Sequence, residues 1–443
     1  DPSITTDSYG PVAIQTWTAV NSGTDIKGLN IHDNTFKEDD TNKLRDYGYY
    51  GIYLNLPTDD DASSNRIAIK DNTFSGRIWR AITTEHSYVD IRGNTITATN
   101  DDTWNYGKAI NVLQWGANTI QSVNISGNSI SGATESDAFL WGVTIGTGYT
   151  DSFSNIAVTS NTISDSDIGL NVYDDADQIT LSNNVLTSNT LAVDNNDGVA
   201  QLNAENNYWG NVTGPYHATS NPRGLGDSVS DNVDFKPWSI DELHNIDTTN
   251  PTTTLNSPAS GSLQNLDFDV DISDSDTGGA ELYYCEYQVK SNGTVTKDWT
   301  DRNCNDVVTL TVGALGDCRD EGANMCRILA KATDKADNTG TPTQWRNFGI
   351  DWTAPTVAVT MDDDALIVGE TSLVTFTFSE APTDFDATDV TVDNGEIGAV
   401  TVTVDPLVYT GTFTPNDDLE VDTNVITAGT VWIDAAGNAP VDT

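Results

Sequence analysis

Positive charge is scarce in this sequence. Lysine and arginine number 20 against 66 aspartates and glutamates, which leaves a net charge of −46 on 443 residues. A surface that negative repels nucleic-acid phosphate and anionic lipid, so neither is an expected partner. No apolar run is long enough to span a membrane, and direct membrane insertion of this segment is not expected. Histidine occurs four times, as His32, His86, His217 and His244, each isolated from the others. Isolated histidines read as exposed corners or satisfied hydrogen bonders before they read as catalysts. Cysteine is confined to one short stretch, as Cys285, Cys304, Cys318 and Cys326. There is no Cys-x-x-Cys pair and no histidine close by, so two structural disulfides in an oxidising compartment are expected rather than zinc. Of the three possible pairings, Cys285 with Cys304 and Cys318 with Cys326 is favoured. The opening "DPSITT" has neither a methionine nor a signal-peptide pattern, which predicts a processed chain or a fragment with any anchor outside it.

The excess carboxylates suit a soluble protein in salty water, or one whose acids meet divalent cations. Simple hydration of a long exposed surface accounts for them equally well. The length predicts two to four domains. A repeated phrase fills the first half. "LNIHDNTF", "IAIKDNTF", "VDIRGNTI", "VNISGNSI", "IAVTSNTI", "ITLSNNVL" and "LNAENNYW" share an alternating apolar pair, two polar residues and then Asn. These asparagines are Asn34, Asn72, Asn94, Asn128, Asn161, Asn184 and Asn207, separated by 38, 22, 34, 33, 23 and 23 residues. The basic period is therefore 22 to 23, lengthened by insertions in three coils.

Between the phrases lies a second strand: "GIYL" at 51–54, "AITT" at 81–84, "AINV" at 109–112, "GVTI" at 142–145 and "GLNV" at 169–172. Alternation with period two sends every second side chain inward. So small a unit cannot bury its own apolar face, but stacked units can. A parallel β-solenoid follows, each coil pairing with the next about 4.8 Å away. Asn at the corner tolerates left-handed backbone angles and bonds local backbone groups. Stacked from coil to coil, its amide also bonds the equivalent Asn, where Asp would set like charges together.

The pattern resembles the right-handed parallel β-helix repeat of pectate lyases, other polysaccharide-modifying enzymes and many surface proteins, over roughly residues 1–210. The resemblance implies a fold and not an activity, because binders, enzymes and inert spacers share it. "ENNYWGNVTGPYHATSNPRGLGDSVSDNVDFKPW" (205–238) looks like the terminal motif that closes many secreted β-helices, with Trp209 and Trp238 covering the open end. The first domain is accordingly placed at 1–246, its cap at about 205–246.

Beyond it, "DTTNPTTTLNSP" at 247 aligns with "DWTAPTVAVTMD" at 351, and "ATDKADN" (332–338) with "WIDAAGN" (432–438). Two modules of several short alternating strands, 247–350 and 351–443, read as immunoglobulin-like β-sandwiches. Pro251 and Pro355 stiffen the start of each. The second, with "VTFTFSEAPTDFDATDVTVDNGEIG" and "YTGTFTP", resembles the immunoglobulin-like repeats of giant bacterial biofilm adhesins. That resemblance implies calcium at the joints between modules. The candidate oxygen ligands are Asp351, Asp362, Glu380, Asp434 and Asn438 in the second module, with Asp247 and Asp334 near the first joint. Ordinary turn chemistry is the plain alternative. N-glycosylation sequons occur at Asn124, Asn211 and Asn292.

Equipment for catalysis is thin. Asp59–Asp61, Asp101–Asp102 and Asp174–Asp175 are acids in insertions or corners, where they read as solvated turns. The Gly-His-Gly and Arg-Ile-Lys of β-helix galacturonases are missing, as are the Trp-Ile-Asp-His and Arg-x-Pro-x-x-Arg signatures of pectate lyases. An anionic polymer would need a basic cleft, for which Lys43 with Arg45, and Arg77 with Arg80, are the near clusters. No catalytic residue is assigned. The insertions "KEDDTNKLRDYGYY", "TATNDDTWNYGK" and "SGATESDAFLW" occupy equivalent places in their coils and should emerge on one side. They carry Tyr47, Tyr49, Tyr50, Trp104, Tyr106, Phe139 and Trp141, rings suited to sugar faces or a protein interface. The whole is an all-β chain: a right-handed parallel β-helix, then two immunoglobulin-like sandwiches. It reads as an extracellular surface-layer, filament or adhesin component that self-associates or binds glycans. The alternative is a secreted polysaccharide lyase or glycoside hydrolase with accessory modules.

Overall fold

The computed structural model describes residues 6–7, 10–17, 28–37, 49–55, 66–98, 107–114, 119–132, 140–147, 151–417, 420–421 and 423–441. Among them the helical elements are two three-residue 3-10 turns, Ala176–Gln178 and Ala387–Asp389, and all other regular structure is strand. The chain forms two compact units: residues 1–249 with 277–281 and 334–338, and residues 250–276, 282–333 and 339–443.

The first unit is a parallel β-solenoid. Each coil runs through three strands, as in Ile67–Lys70, Thr73–Gly76 and Ile78–Thr84. Successive coils stack these into an eight-stranded, a six-stranded and a long ten-stranded sheet. Sequence reading expected at least two strands per coil; the third is the run of three or four residues after each Asn, too short to show alternation clearly. Pairing is in register, so identical positions form columns. Ile31, Ile69, Ile91, Ile125, Val158 and Leu181 make one, and Phe36, Phe74, Ile96, Ile130, Ile163 and Leu186 another. All lie in one continuous apolar core, where Phe36 and Phe74 stack at 4.6 Å. Burying a side chain of this size is worth about 1.5–3 kcal/mol.

The seven asparagines stand at the corner between the eight- and six-stranded sheets. Asn72, Asn94, Asn128, Asn161, Asn184 and Asn207 are fully buried, while Asn34 is exposed. From each of the first six, the backbone N–H and the side-chain Nδ2 both donate to Oδ1 of the Asn one coil on, at 2.8–3.1 Å. Nδ2 also reaches a carbonyl of the preceding coil, as Asn161 does to Ile125 at 3.0 Å. One expectation is corrected. The left-handed residue of each corner is not the ladder Asn but the one before it: Asp33, Asp71, Gly93, Gly127, Ser160, Asn183 and Asn206. The turn must be made before the amide can point along the stack, so the two tasks fall on neighbouring residues.

At the far end, Trp209 and Trp238 are buried in the solenoid core with Val229, Val233 and Phe235. Trp238 Nε1 donates to the Val212 carbonyl at 2.9 Å. A Cβ at Gly214 would stand 2.5 Å from the Trp238 ring, so the chain passes there only as glycine.

In the second unit, a three-stranded antiparallel sheet (Thr252–Ser257, Phe268–Ser275, Val307–Leu310) accompanies a five-stranded one. The disulfides are Cys285–Cys304 and Cys318–Cys326. A buried bidentate pair, Arg302 with Asp274, has both bonds at 2.7 Å. The module after 351 packs Val374, Phe376, Phe378, Phe385, Phe413 and Trp432 into a separate core of edge-to-face rings.

Asn161→Ala removes a side chain that both donates and accepts inside the stack, and is expected to cost roughly 3–5 kcal/mol. Asn34→Ala, at the exposed end, should cost about 1 kcal/mol or less. Thermal and urea unfolding of the full chain checks the order; equal losses would mean that the stack does not hold the coils.

Candidate functional sites: a carboxylate joint and a cationic face of the solenoid

The aligned Asp and Asn of the two sandwich openings build the same clasp twice. Asn438 Nδ2 donates to the Asp351 carbonyl at 3.0 Å and to Asp434 Oδ2 at 2.9 Å, while its N–H donates to Asp434 Oδ1. Asn338 does the same to Asp247 and Asp334, at 3.0 and 2.9 Å. A loop shaped Asp-x-x-x-Asn thus hooks the chain at the start of each module. In the second copy, carboxylate oxygens of Asp351, Glu380 and Asp434 lie within 4.8 Å of one another. Glu321 adds its charge nearby and accepts from Trp352 N–H at 2.8 Å. Burial, then mutual repulsion, pushes the Asp351 and Glu380 carboxyls above the usual range. Burial does the same for Asp334, with Asp247 adding to it.

Of the predicted ligands, then, Asp351, Glu380 and Asp434 come together in the second copy, and Asp247 with Asp334 in the first. Asn438 serves as the clasp, its amide N–H groups spent on Asp351 and Asp434. Asp362 does not join them. It follows Val357–Met361 at the end of a hairpin whose other end, Val357 opposite Phe378, leads to Glu380. A five-residue strand separates the two by about 15 Å. Glu321 was missed, because nothing in "DEGANMC" marks it as reaching the next module.

The second site lies on the outer face of the long sheet. There Ile82, Ile110 and Val143 point into the core, as do Val112 and Ile145. The residues between, Thr83, Asn111 and Thr144, therefore face outward, in register on three successive coils. They are nonetheless buried, and the Thr83 and Thr144 hydroxyls and both amide atoms of Asn111 make no hydrogen bond. Three residues back along the same strands, Arg80, Lys108 and Trp141 form a parallel outward column. Lys108 Nζ stands 5.0 Å from the centre of the Trp141 ring. Burial, reinforced by Arg80, lowers the Lys108 pKa to about 8. Just after the strand that carries Arg80, burial raises the Glu85 carboxyl, although a hydrogen bond from Tyr53 and the charge of Arg80 oppose it. His86, buried beside it, is held below its usual value by burial.

Of the predicted aromatic residues, Tyr47, Trp104, Tyr106 and Phe139 lie outside the described residues. So do Lys43, Arg45, Asp59–Asp61 and Asp101–Asp102. Tyr49 and Tyr50 fall on a strand of the long sheet, paired with Ile78 and Arg80. Trp141 is in the second position of the strand Leu140–Ile145 rather than in a loop. The strands flanking the three insertions end at Lys37, Ala98 and Ser131 and resume at Tyr49, Gly107 and Leu140, while most of each insertion lies outside the described residues. Asp175 caps a neighbouring coil, accepting from Phe153 N–H at 2.7 Å. His32 is exposed against Asp33, and His217 is held by Asp231 at 3.1 Å. Among the sequons, Asn124 donates its amide to Asp90 at 2.8 Å and Asn211 accepts from Thr213, while Asn292 is exposed in a hairpin turn. The Arg80–Lys108 pairing was invisible in sequence, since the coils bring together residues far apart along the chain.

Residues 351–443 match the family model described as Bacterial Ig-like domain, and this module is one. Among solved structures, the chain is similar to the fibronectin(III)-like modules of CbhA from Clostridium thermocellum, at 14% identity. That similarity covers 43% of this chain and 90% of the other, with a TM-score of 0.21, too low to carry a structural inference. No curated protein matches. No helix among the described residues is long and apolar enough to cross a membrane.

Two expectations follow. Raised carboxyl pKa values mean that the folded state binds more protons than the unfolded one between about pH 4 and the raised values. This stability is complete below the unfolded pKa and lost as pH climbs through the folded one. In chelator, the second unit should therefore melt lower at pH 7 than at pH 5, and Glu380→Gln should flatten that slope. An unchanged slope would dissolve the carboxylate cluster as an interacting set. On the outer face, Asn111→Leu removes an unpaired buried amide and should raise stability by about 1–3 kcal/mol in chemical denaturation; a loss would show the amide to be satisfied.

Proposed function

We propose that this chain is an extracellular structural and adhesive protein, a component of a surface layer, filament or adhesin. Its solenoid presents the outer face of the long sheet to a glycan or a second subunit. What supports this is the Trp141–Lys108 stack beside the row of unpaired polar side chains. A face built only to meet water needs no buried unpaired amide, and a packed core would carry apolar residues there. A bacterial immunoglobulin-like module and two disulfides agree with an extracellular setting. At the sandwich joint, Asp351, Glu380 and Asp434 suit a calcium ion, a hard cation that takes several carboxylate oxygens. Calcium added at pH 7 should then restore the melting temperature lost there in chelator.

Trp141→Ala is expected to weaken glycan binding or self-association at least tenfold without lowering the solenoid melting temperature. Glycan arrays and sedimentation of the full chain read the two partners separately. Unaltered binding in both would move the site elsewhere. The alternative, a carbohydrate-active enzyme, is favoured by one observation: Lys108 on the long sheet, and Glu85 and His86 just after the neighbouring strand Ile78–Thr84, are titratable groups moved from their ordinary values. New reducing or unsaturated ends in the same mixtures would put that reading first.

A further inference from the structure

The two sandwich modules differ at one edge. In the first, Arg346–Ile350 runs antiparallel to Gly322–Asp334 on one side and parallel to Leu263–Gln264 on the other. Its Phe348 and Ile350 are fully buried in the module's core, and the Phe348 ring meets Phe268 edge-on at 4.9 Å. In the second module Val359 pairs with Phe376 as Leu255 pairs with Ile272, and Asn438 clasps Asp434 as Asn338 clasps Asp334. These equivalences put Ile426–Ala428 at the place of Cys326–Ile328, and Ile367–Val368 at the place of Leu263–Gln264. Ile426–Ala428 pairs with Val390–Val392 along one edge, and among the described residues no strand follows the other. Ile367 and Val368 lie in a loop, 68% and 75% exposed. Ile426 is half-buried and Thr430 exposed, where Cys326 and Ala330 are wholly buried. Between the two edges, Met361, Leu366, Phe413 and Ile426 line a cavity of about 240 Å³.

We propose that this seam accepts a β-strand from a separate polypeptide, basic at one end and aromatic at its centre, as Arg346–Ile350 is. This partner is distinct from whatever meets the solenoid face, and either site stands without the other. An unpaired strand edge offers N–H and C=O groups that an incoming strand satisfies. The cavity borders Ile426, the counterpart of the residue that Phe348 faces in register, so an aromatic side chain fills it. Charge narrows the choice of strand. Arg346 donates to the Pro258 carbonyl at 2.8 Å. The counterpart of Pro258 is Asp362, exposed and followed by Asp363 and Asp364, exposed as well. This acidic lip favours a basic strand, and in a chain of net charge −46 it favours a different polypeptide over a second copy.

The test titrates a labelled peptide of residues 344–350, QWRNFGI, into the full chain. Saturable binding is expected, with affinity falling as sodium chloride rises. The peptide carrying Phe348→Ala or Arg346→Glu should bind at least ten times more weakly. Ile426→Phe in the full chain fills the cavity, and should weaken binding tenfold or more while the melting temperature holds. No saturable binding, equal affinity of the Phe348→Ala peptide, or undiminished binding to folded Ile426→Phe overturns the seam as an acceptor. Where that variant unfolds, the comparison of peptides decides. Full-chain self-association that the peptide displaces overturns the separate partner in favour of a second copy. Protein from its natural source, dissociated in urea and refolded as single chains, should bind the peptide equally. Refusal there overturns the separate partner in favour of the same polypeptide.

Discussion

One amide oxygen accepting two N–H groups from the coil before it is the interaction on which the solenoid depends. Each ladder Asn closes a corner that would otherwise leave a backbone N–H and a carbonyl buried without partners, a cost of about 1–3 kcal/mol for each group. Aspartate there lacks the donors and would stack like charges; glutamine adds a methylene that the in-register corner has no room for. The Asn-to-Asn bonds all run forward along the stack while Nδ2 also reaches back to a carbonyl of the preceding coil, so the corner is fixed from both sides whatever happens elsewhere in the coil. That is why separations of 22 and of 38 residues both end at the same place.

Fixing the corner fixes the register of all three sheets, and the register makes the outer face. Gly142 shows how tightly: a Cβ there would stand 2.5 Å from the Gly169 carbonyl oxygen of the next coil. At this bend the strand turns two successive residues inward, and the alternation resumes with Thr144 outward. The same bend in each coil puts Arg80, Lys108 and Trp141 in one outward column and Thr83, Asn111 and Thr144 in another. The face is thus a by-product of stacking: chemistry-bearing residues meet because their coils do.

This accounts for what the sequence makes legible. The period, the corner amides, the tryptophan cover and the second strand of each coil are local patterns, and seven repetitions amplify them. The residue taking the left-handed angle was assigned one position late, because Asn suits both tasks and only backbone geometry separates them. Asp362 was grouped with Glu380 because both follow or precede strands with acidic turns; the hairpin puts them at opposite ends. Arg80 beside Lys108 needs the register of two coils, and Glu321 beside Asp351 needs the packing of two modules. Neither leaves a trace in a window of single-chain periodicity. The duplicated Asp-x-x-x-Asn clasp is the intermediate case: alignment exposed the repeat, but its task, hooking a backbone carbonyl, is a matter of geometry.

The two candidate sites are opposite departures from one rule. A half-buried charge is tolerated when a partner offsets its lost hydration, as Asp274 does for Arg302. At the sandwich joint, Asp351, Glu380 and Asp434 crowd together, and among the described residues no lysine or arginine pairs with them. On the solenoid, Lys108 sits against a like charge, and no described carboxylate pairs with it. A chain with more than three acids for every base has carboxylates to spare for Lys108 and withholds them; it has few cations, and places none at the joint. Self-neutralisation was available by a single substitution in either place. At the joint the carboxylates carry their burial without a described cation, and on the solenoid Lys108 carries its own without a described carboxylate.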